Sequence, residues 1–197
     1  MYYILNGKIR KKSVILGVIQ VNFILILTIF IYPCYQDTIH LITTQLPYQV
    51  VYKIEEIEKK EYPKLVKVWE DSIRATHHFL QEEDIAYFKP LILNTYLDAV
   101  ELRGIRNENL EIIGFMGVAD QHLEMLFINP NYFGKGIGKT LLAYAIDQLK
   151  VTKVDVNEQN KLAVGFYEHC GFEIFSRSAL DSSGKPYPIL HMKKKSI

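Results

Sequence analysis

A chain of 197 residues with 49% hydrophobic side chains is long enough to bury one ordinary core without disulfide or metal staples. The net charge of +1 and the lack of a basic stripe argue against nucleic acid as a partner. The two cysteines, Cys34 and Cys170, match no metal or disulfide spacing, so free thiols in a reducing compartment are expected and no metal is implied.

Taken in chain order, residues 1–49 differ in kind from the rest. They carry Lys8, Arg10, Lys11 and Lys12 against Asp37, leaving 19 basic and 21 acidic residues for 50–197. Between Ser13 and Tyr32 runs "SVILGVIQVNFILILTIFIY", about the ~20 residues that span a bilayer. Hydropathy alone makes residues 13–32 a transmembrane candidate, and no small-x-small cleavage site follows to mark a signal peptide.

From residue 50 the pattern is that of a mixed α and β domain. "YQVVYKIEEI" (Tyr48 to Ile57) predicts a strand, and Leu65, Val68, Trp69 and Ile73 recur at helical spacing over 61–75. A second helix is expected after Gln81, with Glu82, Glu83 and Asp84 in its first turn and Pro90 interrupting it. Strand-like runs follow near 98–104, 110–119 and 122–129, joined by the polar turns "RNEN" and "ADQH". Leu141, Leu142, Ala145 and Leu149 then predict a helix, "VTKVDV" a strand, and Ala163 to Cys170 another helix. A hairpin of Phe172–Arg177 with Leu190–Lys193 closes the chain.

The stretch "YFGKGIGKT" (Tyr132 to Thr140) carries the first chemical signal. A P-loop would need glycine at 133, where Phe133 stands, and a dinucleotide fingerprint would need glycine at 139, where Lys139 stands. Glycines between a strand and a helix still bring backbone N–H groups close to a ligand, and the helix N-terminus adds partial positive charge. Such a loop suits a pyrophosphate. Read in isolation, the loop serves equally as a plain connection.

The second signal is "NKLAVGFYEHCGF", where Asn160, Ala163, Phe166, Tyr167, Gly171 and Phe172 keep the spacing Asn-x-x-Ala-x-x-Phe-Tyr-x-x-x-Gly-Phe. With "LFINPNYFGKGIGKTLL" upstream, residues 50–194 resemble the GNAT superfamily of acetyl-CoA-dependent N-acetyltransferases. "ATHHFL", "VNEQN" and "GKPYPIL" resemble a small bacterial subgroup of it. The resemblance implies an α+β fold, a mixed and mostly antiparallel sheet flanked by helices and splayed between its fourth and fifth strands, with acetyl-CoA in the cleft.

It also implies roles, residue by residue. Gly136 and Gly138 take the two small positions of the superfamily loop, and Gly134, Lys135, Ile137 and Lys139 supply neighbouring N–H groups to the pyrophosphate. Phe133 departs from the usual Gln or Arg, removing a polar side chain there. Leu126, Phe127 and Ile128 match the strand that pairs with the pantetheine arm and polarises the thioester carbonyl. Phe166 and Asn160 flank the cofactor, with helix capping as the plain alternative for Asn160.

Tyr167 is the candidate acid that protonates the leaving thiolate, and Glu124 the candidate base acting through water. His77 and His78 are expected on the acceptor side, at most one of them facing the cleft because adjacent helical residues point about 100° apart. The expected reaction is direct acetyl transfer to a primary amine of a small molecule or peptide, by a monomer or homodimer. The alternatives are a catalytically silent acetyl-CoA-binding module and a P-loop nucleotide-binding protein.

The two halves of the chain conflict. Lys8, Arg10, Lys11 and Lys12 precede the apolar run and Lys53 is the first basic residue after it, so the positive-inside rule would put the domain outside. Acetyl-CoA is a cytoplasmic metabolite. The expectation is therefore a cytoplasmic domain at 50–197 with a dispensable apolar extension at 1–49 that reads as translated sequence upstream of a misassigned start; anchoring through 13–32 is the alternative.

Overall fold

The computed structural model describes residues 2–5, 8–11 and 52–196. In the N-terminal unit, β1 (Tyr2–Leu5) pairs antiparallel with β2 (Lys8–Lys11), from Tyr2 opposite Lys11 to Leu5 opposite Lys8. The apolar run at 13–32 lies outside the described residues. Among those described, no helix is long and apolar enough to cross a membrane.

The second unit begins with β3 (Ile54–Glu56) and α1 (Tyr62–Thr76). Pro63 sits in the first turn of α1, where a missing N–H leaves nothing unsatisfied. One face of α1 buries Leu65, Val66, Val68, Trp69 and Ile73, the stripe its spacing predicts. The next helix, α2 (Glu82–Leu91), starts with the Gln81 N–H donating to the Asp84 carboxylate at 3.3 Å. Pro90 does not end it: the chain runs on to Leu91, then widens into a π turn (Ile92–Tyr96) and a tight turn (Leu97–Ala99). Proline removes one N–H from the ladder, and wider turning after it is one way a helix absorbs that loss.

Three antiparallel strands follow: β4 (Glu101–Arg106), β5 (Ile112–Ala119) and β6 (His122–Ile128). Then come α3 (Ile137–Asp147), β7 (Lys153–Asn157), α4 (Lys161–His169), β8 (Phe172–Ser178) and β9 (Ile189–Lys194). The seven strands of this unit stand in the order β3, β4, β5, β6, β7, β9, β8. Every neighbouring pair is antiparallel except β6 with β7.

Two cores hold this sheet. Leu65, Trp69 and Ile73 of α1 pack with Leu102, Ile112 and Phe115. Leu141, Leu142 and Ala145 of α3 pack with Met116, Leu123, Val154 and Met192. Covered from both sides, β5 is buried along nearly its whole length, which is why it reads as a continuous apolar run.

The fourth and fifth strands of this sheet, β6 and β7, pair only at His122 with Lys153 and Leu123 with Val154. The register of β6 against β5 explains the break. Met125 faces Gly117 and Leu123 faces Val118, so Glu124 is the extra residue of a β-bulge. A bulge bends and twists its strand, here at the point where the pairing to β7 stops. The splay is built into β6 itself.

Candidate active site

Past Leu123 the edge of β6 faces a cavity of about 490 Å³. Leu126, Phe127 and Ile128 of β6 form one wall, with Gly134, Gly136, Ile137, Gly138 and Lys139 at the start of α3. Phe166 and Tyr167 of α4, with its caps Asn160 and Cys170, also line the cavity, as do Ser72 and Thr76 of α1 and His77, which caps that helix. Elements far apart in sequence converge here because the bulge opens the sheet.

The glycine loop has the geometry its composition predicts. Gly134 (φ 74°) and Gly136 (φ 81°) lie in the left-handed region that other residues enter only with strain. A Cβ at either would meet nothing within 4 Å, so the backbone is open to a ligand. Gly136 caps α3, and the first helical hydrogen bond is from the Thr140 N–H to the Gly136 carbonyl at 2.9 Å. The N–H groups of Ile137, Gly138 and Lys139 are the donors a helix N-terminus leaves free, with its partial positive charge behind them. Lys135 stands apart: its N–H donates to the Tyr132 carbonyl at 3.4 Å, and its ammonium lies 4.6 Å from the centre of the Tyr132 ring. Phe133, 43% exposed, lines the cavity in place of a polar side chain.

Tyr167 is held by edge-on aromatic contacts, with ring centres 5.1 Å from Phe166 and 5.9 Å from Phe172. Only 7% exposed, it still contributes to the cavity wall. Burial pushes its phenol well above the ordinary tyrosine range, and nearby Cys170 adds to the shift. Burial raises the Cys170 thiol as well. Asn160, buried at the head of α4, accepts from the Ala163 N–H at 3.1 Å, which is its capping role.

Of the two histidines, His77 faces the cavity and His78 is not part of its wall. Burial, with the charge of His78 adding, lowers the His77 imidazole to about 4, so it is neutral at physiological pH. Glu124 is not part of the wall either. As the bulged residue its side chain is 43% exposed, beside His122 Nδ1 at 3.2 Å. Sequence reasoning missed Ser72, Thr76 and Cys170 as lining residues. It also missed the contact between α2 and the loop before β9, where Lys185 and Tyr187 both donate to the Asp84 carboxylate. Lys185 and Tyr187 lie in "GKPYPIL", and His77 in "ATHHFL" packs at a tilt on Phe79, which packs at a tilt on Tyr187, so the two unexplained motifs are spatial neighbours.

A splayed mixed sheet with a left-handed glycine cap on one side of the gap and a buried tyrosine on the other defines an acyl-CoA N-acyltransferase fold. Comparison with known proteins agrees. The acetyltransferase (GNAT) domain family matches residues 81–195, and the chain belongs to that family. Over 143 residues it is 37% identical to the peptidyl-lysine N-acetyltransferase YjaB of Escherichia coli, covering 73% of this chain and 97% of that protein. The solution structure of apo YjaB from the same organism superimposes with a TM-score of 0.69 at 36% identity, over 75% of this chain and 99% of that one. The PaiA N-acetyltransferase of Thermoplasma acidophilum, solved with coenzyme A, shares the fold with a TM-score of 0.55 at 22% identity, over 74% of this chain and 99% of that one. The chain is thus an acyltransferase of the GNAT type.

Proposed function

We propose that this protein transfers the acetyl group of acetyl-CoA to the side-chain amine of a lysine in a peptide or protein, by direct attack. The observation that carries the reading is the open edge of β6 between the Gly136 cap and Tyr167. The loop N–H groups of Ile137, Gly138 and Lys139 would hold the pyrophosphate, and the backbone of Leu126 to Ile128 the pantetheine arm. The lysine acceptor is supported by the names of the YjaB relatives, and coenzyme A by its presence in the PaiA structure. Use of acetyl-CoA puts the domain in the cytoplasm.

In the reaction, the neutral amine nitrogen bonds to the thioester carbon and the carbonyl electrons move onto oxygen. Collapse then breaks the C–S bond, and the amine's surplus proton leaves to solvent. Tyr167 assists at sulfur. Its raised pKa exceeds that of a thiol, normally ~8.5, so complete proton donation would run uphill. Tyr167 therefore acts as a hydrogen-bond donor to the developing thiolate, and the proton that finally reaches sulfur comes from solvent.

The test is coenzyme A release by the full chain with acetyl-CoA and an N-terminally blocked lysine peptide, against a panel of small amines. Tyr167→Phe should lower kcat by ~10–10²-fold, the scale of one hydrogen bond to a charged group, with little change in acetyl-CoA affinity. Binding of acetyl-CoA without turnover of any amine would instead identify a silent binding module.

A further inference from the structure

Hydrogen bonds on both sides of the His77 ring leave it one tautomer. The Thr76 hydroxyl donates to the Ser72 carbonyl one turn back, at 2.8 Å. A hydroxyl has a single proton, so toward His77 Nδ1, 2.8 Å away, it presents only lone pairs. Nδ1 must carry the hydrogen. On the other side Asn160 spends its carbonyl oxygen on the Ala163 N–H, which turns its amide NH₂ toward His77 Nε2 at 3.5 Å. An NH₂ group only donates, so Nε2 must present a lone pair. The two ends agree.

Thr76, His77, Asn160 and Tyr167 all belong to the wall of the same cavity. The Asn160 contact is long and therefore weak, so an incoming N–H can take over the Nε2 lone pair at little cost.

We propose that His77 Nε2 receives the acceptor amine, accepting a hydrogen bond from one of its N–H groups so that the nitrogen lone pair is aimed at the acyl carbon, and that Thr76 is the positioning residue that fixes the tautomer. This rests on the acetyl-transfer reading above. Direct contact of Nε2 with the amine distinguishes His77 from Thr76, which acts through it. The ring is an acceptor and not the proton's destination: an imidazole lowered to about 4 is a poor sink for a proton from a lysine ammonium, ordinarily ~10.4.

The experiment uses the full chain with saturating acetyl-CoA and an N-terminally blocked lysine peptide. Peptide KM and kcat are measured for wild type, His77→Ala, His77→Gln, Thr76→Val and Thr76→Ser, and the His77 ring nitrogens are followed by long-range ¹H–¹⁵N NMR. His77→Ala should raise peptide KM about tenfold, the scale of one lost hydrogen bond, and leave acetyl-CoA affinity within about twofold. Gln, whose amide oxygen can stand near the Nε2 position, should recover most of the loss. Thr76→Val should shift the ring toward the Nε2–H form and raise peptide KM, and Thr76→Ser should reverse both. An Nε2–H ring in the wild type, or unchanged peptide KM in His77→Ala while Tyr167→Phe is impaired, would overturn the inference. A wild type that turns over no amine would overturn the acetyl-transfer reading and this inference with it.

Discussion

The Tyr187 hydroxyl donates to the Asp84 carboxylate across 103 positions of sequence, tying the first turn of α2 to the loop before β9. Lys185 donates to the same carboxylate and lies 4.7 Å from the centre of the Tyr87 ring. Asp84 is buried, and these partners, Lys185 first, hold it below the usual carboxylate range, while the shared bond lifts Tyr187 to about 12. A carboxylate with a lowered folded pKa stabilises above its unfolded pKa, and that contribution is lost as pH falls through the folded value.

Asp84→Asn should therefore lower Tm by several degrees at neutral pH, on the order of 1–3 kcal/mol for losing a charge-assisted bond in a buried site. The difference between variant and wild type should shrink as the wild-type carboxylate protonates in acid. Equal Tm values at pH 7 would show that α2 and the loop are held by their aromatic contacts instead.

Gly136 carries the second prediction. Its φ of 81° strains any side chain, yet a Cβ there meets no neighbour, so substitution by a strained-tolerant and by a charged residue can be separated. Gly136→Asn, a residue that enters the left-handed region more readily than most, should keep the fold and part of the acetyl-CoA affinity. Gly136→Glu adds a negative charge beside the proposed pyrophosphate and should abolish binding in calorimetry while thermal unfolding stays cooperative. Equal affinities for the two variants would move the pyrophosphate off this loop.

These two sites differ in how visible they were in the sequence. The glycine loop and the Asn-to-Phe motif of α4 are local strings whose spacing survives in one dimension, and both end on the cavity wall. Helix α1 was legible for the same reason, its apolar stripe fixing the ends to within one residue. The Asp84 contacts and the approach of Asn160 to His77, 83 positions away, exist only once the sheet has folded, and no local pattern announces them. Pro90 marked the break in α2 to within one residue, but the π turn into which the chain then widens has no local signature. The bulge at Glu124 was hidden because one polar residue between Leu123 and Met125 reads as the ordinary alternation of a strand.

His77 gives a stability that depends on pH with a definite sign. Its folded value of about 4 lies below the ordinary ~6.5, so between these values the unfolded chain binds more protons than the folded one. The stability is fully present above pH 6.5 and is lost as pH falls toward 4, by up to about 3 kcal/mol. Urea unfolding at pH 7, 5.5 and 4.5 should show a falling midpoint that is shallower in His77→Gln. Parallel pH profiles for the two proteins would mean that the imidazole protonates freely in the fold.

Glu124 supplies the last prediction, because strand and side chain pull in different directions there. A carboxylate on the fourth strand is expected to serve as base, but this one sits at the bulge, is not among the residues that line the cavity, and lies beside His122. The backbone of residue 124 shapes the splay, whereas the polar contact of its side chain is to His122, which is not assigned to acyl transfer. Glu124→Gln, which keeps the bulge and removes the charge, should hold kcat/KM within about threefold of wild type, a loss of less than ~1 kcal/mol. Glu124→Pro, which fixes φ in the bulged strand, should instead cost acetyl-CoA affinity through the geometry of β6. A tenfold or greater fall in Glu124→Gln, with the acidic limb of the pH–rate profile displaced, would restore the carboxylate as a base working through water.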